Sequence, residues 1–174
     1  DTNGSIRVPS SFCGVWGLKP TYGRLPRTGT FPFCHSLDHV GIMSRCVKDL
    51  SIAYRQLEGY DDSDPVCMPS APSPSTPDRP LRVGLVGGYF ADGSFPTAEA
   101  AARYCAEALA EAGHSLHRVN LEHVEQSRAA AFLITNFESA QLHFKRLQTQ
   151  AEDFDPDTRD RLLAGSLLPG NWYL

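Results

Sequence analysis

The apolar positions follow two different regimes along the chain. From Asp1 to about Leu57 the pattern is interrupted every few residues by Gly4, Pro9, Gly14, Gly17, Pro20, Gly23, Gly29, Pro32 and Gly41, which predicts loops and short strands. One helix is predicted there, over Ser44–Leu57, where Val47, Leu50, Ile52, Ala53, Tyr54 and Leu57 make an apolar face broad enough to be mostly buried. Gly59 supplies its stop. Over Asp61–Pro80 the chain turns to Asp, Ser and Pro, with six prolines, and reads as an exposed, extended connector. A domain boundary and a long surface loop within one domain fit that stretch equally well.

Beyond it the periods are clearer. Leu81–Val86 reads as a strand, residues 98–112 as a helix with Ala98, Ala101, Ala102, Cys105 and Leu109 on one face, and Ser115–Leu121 as a second strand. Pro96-Thr97 gives the helix a capped start and Gly113 ends it. The βαβ order predicts a parallel pair within a larger sheet. A longer helix is expected over about Glu122–Gln150 and a short one from near Asp157. Gly84, Gly87 and Gly88 lack the G-x-G-x-x-G spacing and the next helix starts too late, so they mark a strand-end turn and not a dinucleotide site. The chain opens at Asp1 without a Met and stops mid-pattern at Asn171-Trp172-Tyr173-Leu174, so it is expected to be an internal piece of a longer protein.

Composition removes several function classes. With 174 residues, 41% hydrophobic and 21% charged, the chain can bury a core. A net charge of −4 without a Lys/Arg-rich run leaves no footprint for nucleic acid, and no apolar stretch approaches the roughly 20 residues of a membrane span. Cys13, Cys34, Cys46, Cys67 and Cys105 are odd in number and widely spaced, which predicts reduced, mostly packing thiols and a cytoplasmic location. No C-x-x-C or H-x-x-x-H pair is present, so no metal is expected.

The candidate chemistry lies at Asp1-Thr2-Asn3-Gly4-Ser5-Ile6-Arg7. Asn and Gly both tolerate positive φ, so the chain can turn sharply before Ser5 and aim consecutive N–H groups at one point. A serine hydroxyl placed there can attack a carbonyl while those amides hold the oxyanion. The tripeptide alone is ordinary turn chemistry. Asp38 and His39 do not complete a Ser-His-Asp triad with Ser5, because adjacent residues cannot line up as orienter and base and no G-x-S-x-G elbow is present. Arg7 has two readings: it binds a substrate carboxylate, or it ties the loop down by pairing with Asp1 or a carbonyl. Tyr22, Phe31 and Phe33 wall a small pocket or belong to the core.

The longer run Asp1-Thr2-Asn3-Gly4-Ser5-Ile6-Arg7-Val8-Pro9-Ser10, continued by Gly14, by Gly17-Leu18-Lys19-Pro20-Thr21 and by Ser36-Leu37-Asp38-His39-Val40-Gly41, closely resembles the amidase signature family. Asn3, together with residues 23–33, is most similar to the members that hydrolyse 1-carboxybiuret. Ile42 stands where the family usually has proline. The resemblance implies an α/β fold, with a mixed β-sheet core flanked by helices on both faces. All 174 residues would then be part of a single amidase domain: residues 1–60 a signature region, 61–80 a surface connector, and 81–174 a βαβ unit with further helices.

It further implies a Ser–cis-Ser–Lys hydrolase with Ser5 as the acyl-forming nucleophile and the backbone N–H groups of Thr2, Asn3, Gly4 and Ser5 as the oxyanion hole. The cis-serine and the lysine base would lie upstream of Asp1, and Lys19 belongs to the G-L-K-P-T element. The implied substrate is a small amide or ureide, with no cofactor. The implied partners are further copies in an oligomer, together with a small accessory subunit resembling the amidotransferase C subunit. Rival readings are the A subunit of an aminoacyl-tRNA amidotransferase, acting as a glutaminase, and a non-catalytic scaffold relative.

Overall fold

A computed structural model describes residues 1–69 and 79–174. The expected connector therefore falls partly outside the described residues, at positions 70–78. By contacts the described residues divide into two units, one of residues 1–69 and 130–174 and one of residues 79–129.

The first unit opens with helix α1 (Arg7–Cys13), which the interrupted pattern did not predict. Pro9 lies in its first turn, where a missing N–H leaves no intrahelical bond unmade. Gly14 closes it in the left-handed region at φ 64°, its N–H donating to the carbonyls of Ser10 and Ser11. Strands β1 (Trp16–Leu18) and β2 (Ile42–Ser44) then pair antiparallel, Trp16 opposite Ser44 and Leu18 opposite Ile42. α1 packs on β1 closely enough that glycine is required: a Cβ on Gly17 would lie 2.4 Å from Ser10 Oγ, and one on Gly41 would lie 2.1 Å from Ile6 Cδ1. Buried Ser10 stays satisfied by donating to Ile6 O at 2.7 Å.

Helix α2 (Val47–Leu57) forms where expected, but its face is not mostly buried. Leu50 alone is buried, while Val47, Ile52 and Leu57 are exposed; among the described residues the helix packs on β1 and β2, and its Tyr54 OH accepts from Arg24 Nε at 3.2 Å. Residues 61–69 correct the reading of an extended connector. Asp64 and Cys67 are buried, Met68 N donates to Gly23 O at 2.8 Å, and Arg27 grips the Asp64 carboxylate with Nε at 3.1 Å and Nη2 at 2.8 Å. That guanidinium holds the Asp64 carboxyl down at about pKa 2.

Helix α4 (Val124–Thr149) from residue 130 onward, α5 (Pro156–Ser166) and the short α6 (Gly170–Tyr173) complete the unit. The buried stripe of α4 is Thr135, Ser139, Ala140, His143 and Leu147, and the hydroxyls of Thr135 and Ser139 donate to carbonyls of their own helix. α5 starts at a capped end, where the Asp155 carboxylate accepts from Asp157 N and Thr158 N ahead of Pro156 at the first helical position. It approaches α4 at Gly165, where a Cβ would lie 2.2 Å from Asn136 O.

The second unit holds the βαβ crossover. β3 (Arg82–Val86) and β4 (Ser115–Val119) pair in parallel, Arg82 opposite Ser115 through Val86 opposite Val119, with α3 (Pro96–Glu111) between them in sequence. Pro96 occupies the first turn, but Thr97 does not cap it and Phe95 makes no side-chain cap bond. The buried residue of α3 is Ala106, and the expected face at Ala98, Ala101, Ala102, Cys105 and Leu109 is exposed. Gly88 at φ 58° makes the expected turn at the end of β3. Among the described residues the strands thus fall into two two-stranded sheets, one antiparallel and one parallel.

Candidate active site

The loop before α1 is built around one carboxylate. Asp1 Oδ1 accepts from Gly4 N at 2.7 Å and from Arg7 Nη2 at 3.1 Å, while Oδ2 accepts from Ile6 N at 3.2 Å and from Arg7 Nε at 3.0 Å. The Asp1 side chain is fully buried and that of Arg7 is 56% exposed. Of the two readings of Arg7, the structure shows the pairing with Asp1. Gly4 takes φ 139°, and a Cβ there would lie 3.0 Å from Val8 Cγ2, so the turn requires glycine at this position. Among the described residues His123 is the one non-glycine with positive φ, so Asn3 does not use the conformation expected of it.

Ser5 is exposed, between Gly4 and Ile6, whose N–H groups both turn to Asp1. The Gly4 N–H is therefore already engaged at 2.7 Å, which removes it from the four expected oxyanion donors in this conformation. Thr2 Oγ1 donates to Asp38 Oδ1 at 2.6 Å, and Asp38 Oδ2 accepts from Phe33 N at 2.7 Å and Cys34 N at 2.8 Å. The backbones of Asp1 and His39 exchange hydrogen bonds of 2.7 and 2.9 Å. His39 Nδ1 meets Leu37 O at 2.6 Å, and its burial pushes its pKa down. Asp38 and His39 thus brace the loop and form no triad with Ser5. Lys19 Nζ donates to Pro20 O at 2.8 Å, consistent with a loop-holding role.

Segment 31–36 is fixed in turn by α4. Glu138 Oε2 accepts from Ser36 N at 3.0 Å and Cys34 Sγ at 3.2 Å, and Oε1 accepts from Ser36 Oγ at 2.5 Å and Tyr173 OH at 2.7 Å. Burial acts to raise the Glu138 pKa, but these donors outweigh it and the net shift is downward. Burial and the facing carboxylate push the Cys34 thiol up to about 11. His143 Nε2 meets Pro32 O at 2.9 Å and stacks on Phe31 at 5.1 Å. Phe31 and Phe33, with Asp1, Thr2 and Asp38, line a cavity of 160 Å³, whereas Tyr22 lines a separate one. Of the five cysteines, all free, Cys34 and Cys67 are buried and Cys13, Cys46 and Cys105 are exposed, so fewer pack than expected. Among the described residues no group of three His, Cys, Asp or Glu is placed to hold a metal, and no helix is long and apolar enough to cross a membrane.

The sequence did not mark Glu138 or the anchoring use of Asp38. Glu138 lies 102 residues from the Ser36 it holds, and nothing local distinguishes it from any other helical glutamate.

The model of the Amidase family matches residues 1–167. The chain belongs to the amidase family. This amidase chain is 46% identical over its whole length to AtzE, the 1-carboxybiuret hydrolase subunit of Pseudomonas sp. (strain ADP), of which it spans 38%. It is 35% identical, over 95% of its length, to the A subunit of the glutamyl-tRNA(Gln) amidotransferase of Roseiflexus castenholzii, spanning 39% of that protein. A solved structure described as a vestigial protein complex that reveals the origins of an s-triazine catabolic enzyme superposes with a TM-score of 0.89 at 47% identity. That superposition covers 99% of the amidase chain and 38% of the other. The fold class is thus α/β of the amidase-signature type, present as a partial domain.

Proposed function

We propose that this chain is the nucleophile-bearing part of an amidase that hydrolyses a C–N bond in a small amide or ureide of the 1-carboxybiuret kind. The observation that carries the reading is the exposed Ser5 on a loop whose flanking Gly4 and Ile6 N–H groups are both tied to buried Asp1. The 46% identity to the 1-carboxybiuret hydrolase AtzE, over the whole chain, supports the substrate class.

Ser5 Oγ attacks the substrate carbonyl and loses its proton. The N–H groups of Thr2, Asn3 and Ser5 receive the oxyanion, a kind of interaction that contributes a few kcal/mol per donor. Collapse of the tetrahedral species expels the protonated nitrogen and leaves an ester on Ser5, which water then hydrolyses. The base is a lysine acting through a cis-serine, both upstream of Asp1 in a longer protein. Arg7 keeps the Asp1 carboxylate in place. The chain forms part of one amidase domain, works in the cytoplasm, and in the longer protein associates with further copies and with a small accessory subunit. The superposition on a structure described as a protein complex supports such an assembly.

The test is Ser5→Ala in the full-length protein, following ammonia release from 1-carboxybiuret, biuret, glutamine and simple amides. Turnover of 1-carboxybiuret is expected to fall by at least about a thousandfold. Retained turnover overturns the nucleophile, and wild-type release from glutamine alone moves the protein to the glutaminase class.

A further inference from the structure

The loop that carries Ser5 is braced from outside by a carboxylate that performs no chemistry itself. Thr2 gives its hydroxyl to Asp38 Oδ1 at 2.6 Å, across 36 residues of sequence. Asp38 cannot swing away, because Oδ2 is held by the successive N–H groups of Phe33 and Cys34 at 2.7 and 2.8 Å. Those residues are fixed in turn to α4, where Glu138 takes Ser36 N, Ser36 Oγ and Cys34 Sγ. A continuous set of hydrogen bonds therefore runs from a regular helix through two carboxylates to the side chain of Thr2. With its hydroxyl anchored and its neighbour Asp1 paired to the His39 backbone at both ends, Thr2 has little freedom to rotate its peptide planes.

Building on the nucleophile reading above, we infer that Asp38 is a positioning residue for amide hydrolysis. Through Thr2 Oγ1 it fixes the peptide planes whose N–H groups, on Thr2 and Asn3, receive the oxyanion. Donors of this kind act only when aimed at the place where charge develops, and a displacement of about 1 Å can cost a hundredfold in rate. Glu138 supplies the fixed point at the far end.

The experiment compares Thr2→Val, Thr2→Ser, Asp38→Ala and the Thr2→Val/Asp38→Ala double variant in the full-length protein, with steady-state kinetics on 1-carboxybiuret and a thermal melt for each. Valine keeps the shape and the backbone N–H of Thr2 but removes the hydroxyl, and serine restores it. Thr2→Val is expected to lower kcat on the order of tenfold to a hundredfold with KM within about twofold, because misaimed donors act in the transition state and not in substrate binding. Thr2→Ser should stay within about threefold of wild type, and the double variant should be no slower than Asp38→Ala alone. Wild-type kcat in Thr2→Val, a drop in kcat that serine does not rescue, or independent multiplication of the two single effects overturns the inference. If Asp38→Ala does not fold, the valine and serine pair decides it. Loss of turnover in Ser5→Ala with full turnover in Thr2→Val rejects the positioning role and leaves the nucleophile standing, while full turnover in Ser5→Ala rejects the nucleophile itself.

Discussion

Four carboxylates organise residues 1–69 and 130–174. Asp1, Asp38, Asp64 and Glu138 each accept two or more hydrogen bonds from backbone N–H groups, arginines or hydroxyls, and so give irregular segments the partners that a sheet ladder would otherwise supply. Residues 79–129 do the opposite. There the backbone is satisfied by regular structure, β3 on β4 with α3 beside them, yet of the nine buried apolar residues among those described only Ala106 belongs to this unit. A loop-rich region can thus be held tightly by polar anchors, while a regular βαβ crossover is left with open apolar faces.

The sharpest way to break that contrast is to remove an anchor. Asp64→Ala strands the Arg27 guanidinium, whose side chain is only 12% exposed, without its carboxylate. A loss of about 3 kcal/mol in a urea melt is expected, since an unpaired buried charge costs more than the pair contributed. Its pH dependence has a definite sign. The folded pKa of about 2 lies below the unfolded value of roughly 3.9, so the stabilisation is complete above about pH 4 and is lost as pH falls through 2. In Asp64→Asn that part of the acid slope should disappear. A loss well under 1 kcal/mol in the alanine variant would mean that residues 61–69 are held by something other than this clamp.

Next in size is the close approach that seats α1. Gly41→Ala places a methyl 2.1 Å from Ile6 Cδ1 and 2.5 Å from Leu18 O, and the second of these is backbone and cannot step aside. Overpacking of this kind is expected to cost about 1–3 kcal/mol. Because Ile6 follows Ser5 directly, turnover in the full-length protein should fall with it. A neutral melt would show that Ile6 and the backbone at Leu18 both have room to yield, and would overturn the close approach as the reason for glycine here.

What could be read from the sequence divides by the range of the signal and not by unit. β3, α3, β4, α4 and α5 were legible to within a few residues, because their periodicity and their terminal Pro and Gly are local signals. Helix α1 was not, since Pro9 and Gly14 read as interruptions, although one fits a first turn and the other a left-handed cap. Asp61–Pro80 looked like a connector by composition, but its described part is docked by a pair 37 residues apart, and nothing in either segment signals the other. Ser5 was placed by the string around it. The donors around it were only partly legible: Gly4 takes the positive φ, Asn3 does not, and the Gly4 N–H is turned to Asp1.

The smallest effect expected tests the other side of the comparison. Tyr104, on α3, is 73% exposed and takes part in no ring stacking among the described residues. Tyr104→Gln exchanges residues of similar helix propensity, so a site that open should change stability by no more than about 0.5 kcal/mol. The 174 residues span 38% of the AtzE protein they resemble, however, and an aromatic covered by the rest of a longer chain would behave otherwise. Burying a large apolar side chain is worth about 1.5–3 kcal/mol, and a loss of that size in the full-length protein would show that the open face of α3 is filled there. A melt of the full-length variant therefore decides whether the sparse unit is sparse in the whole protein or only within these residues.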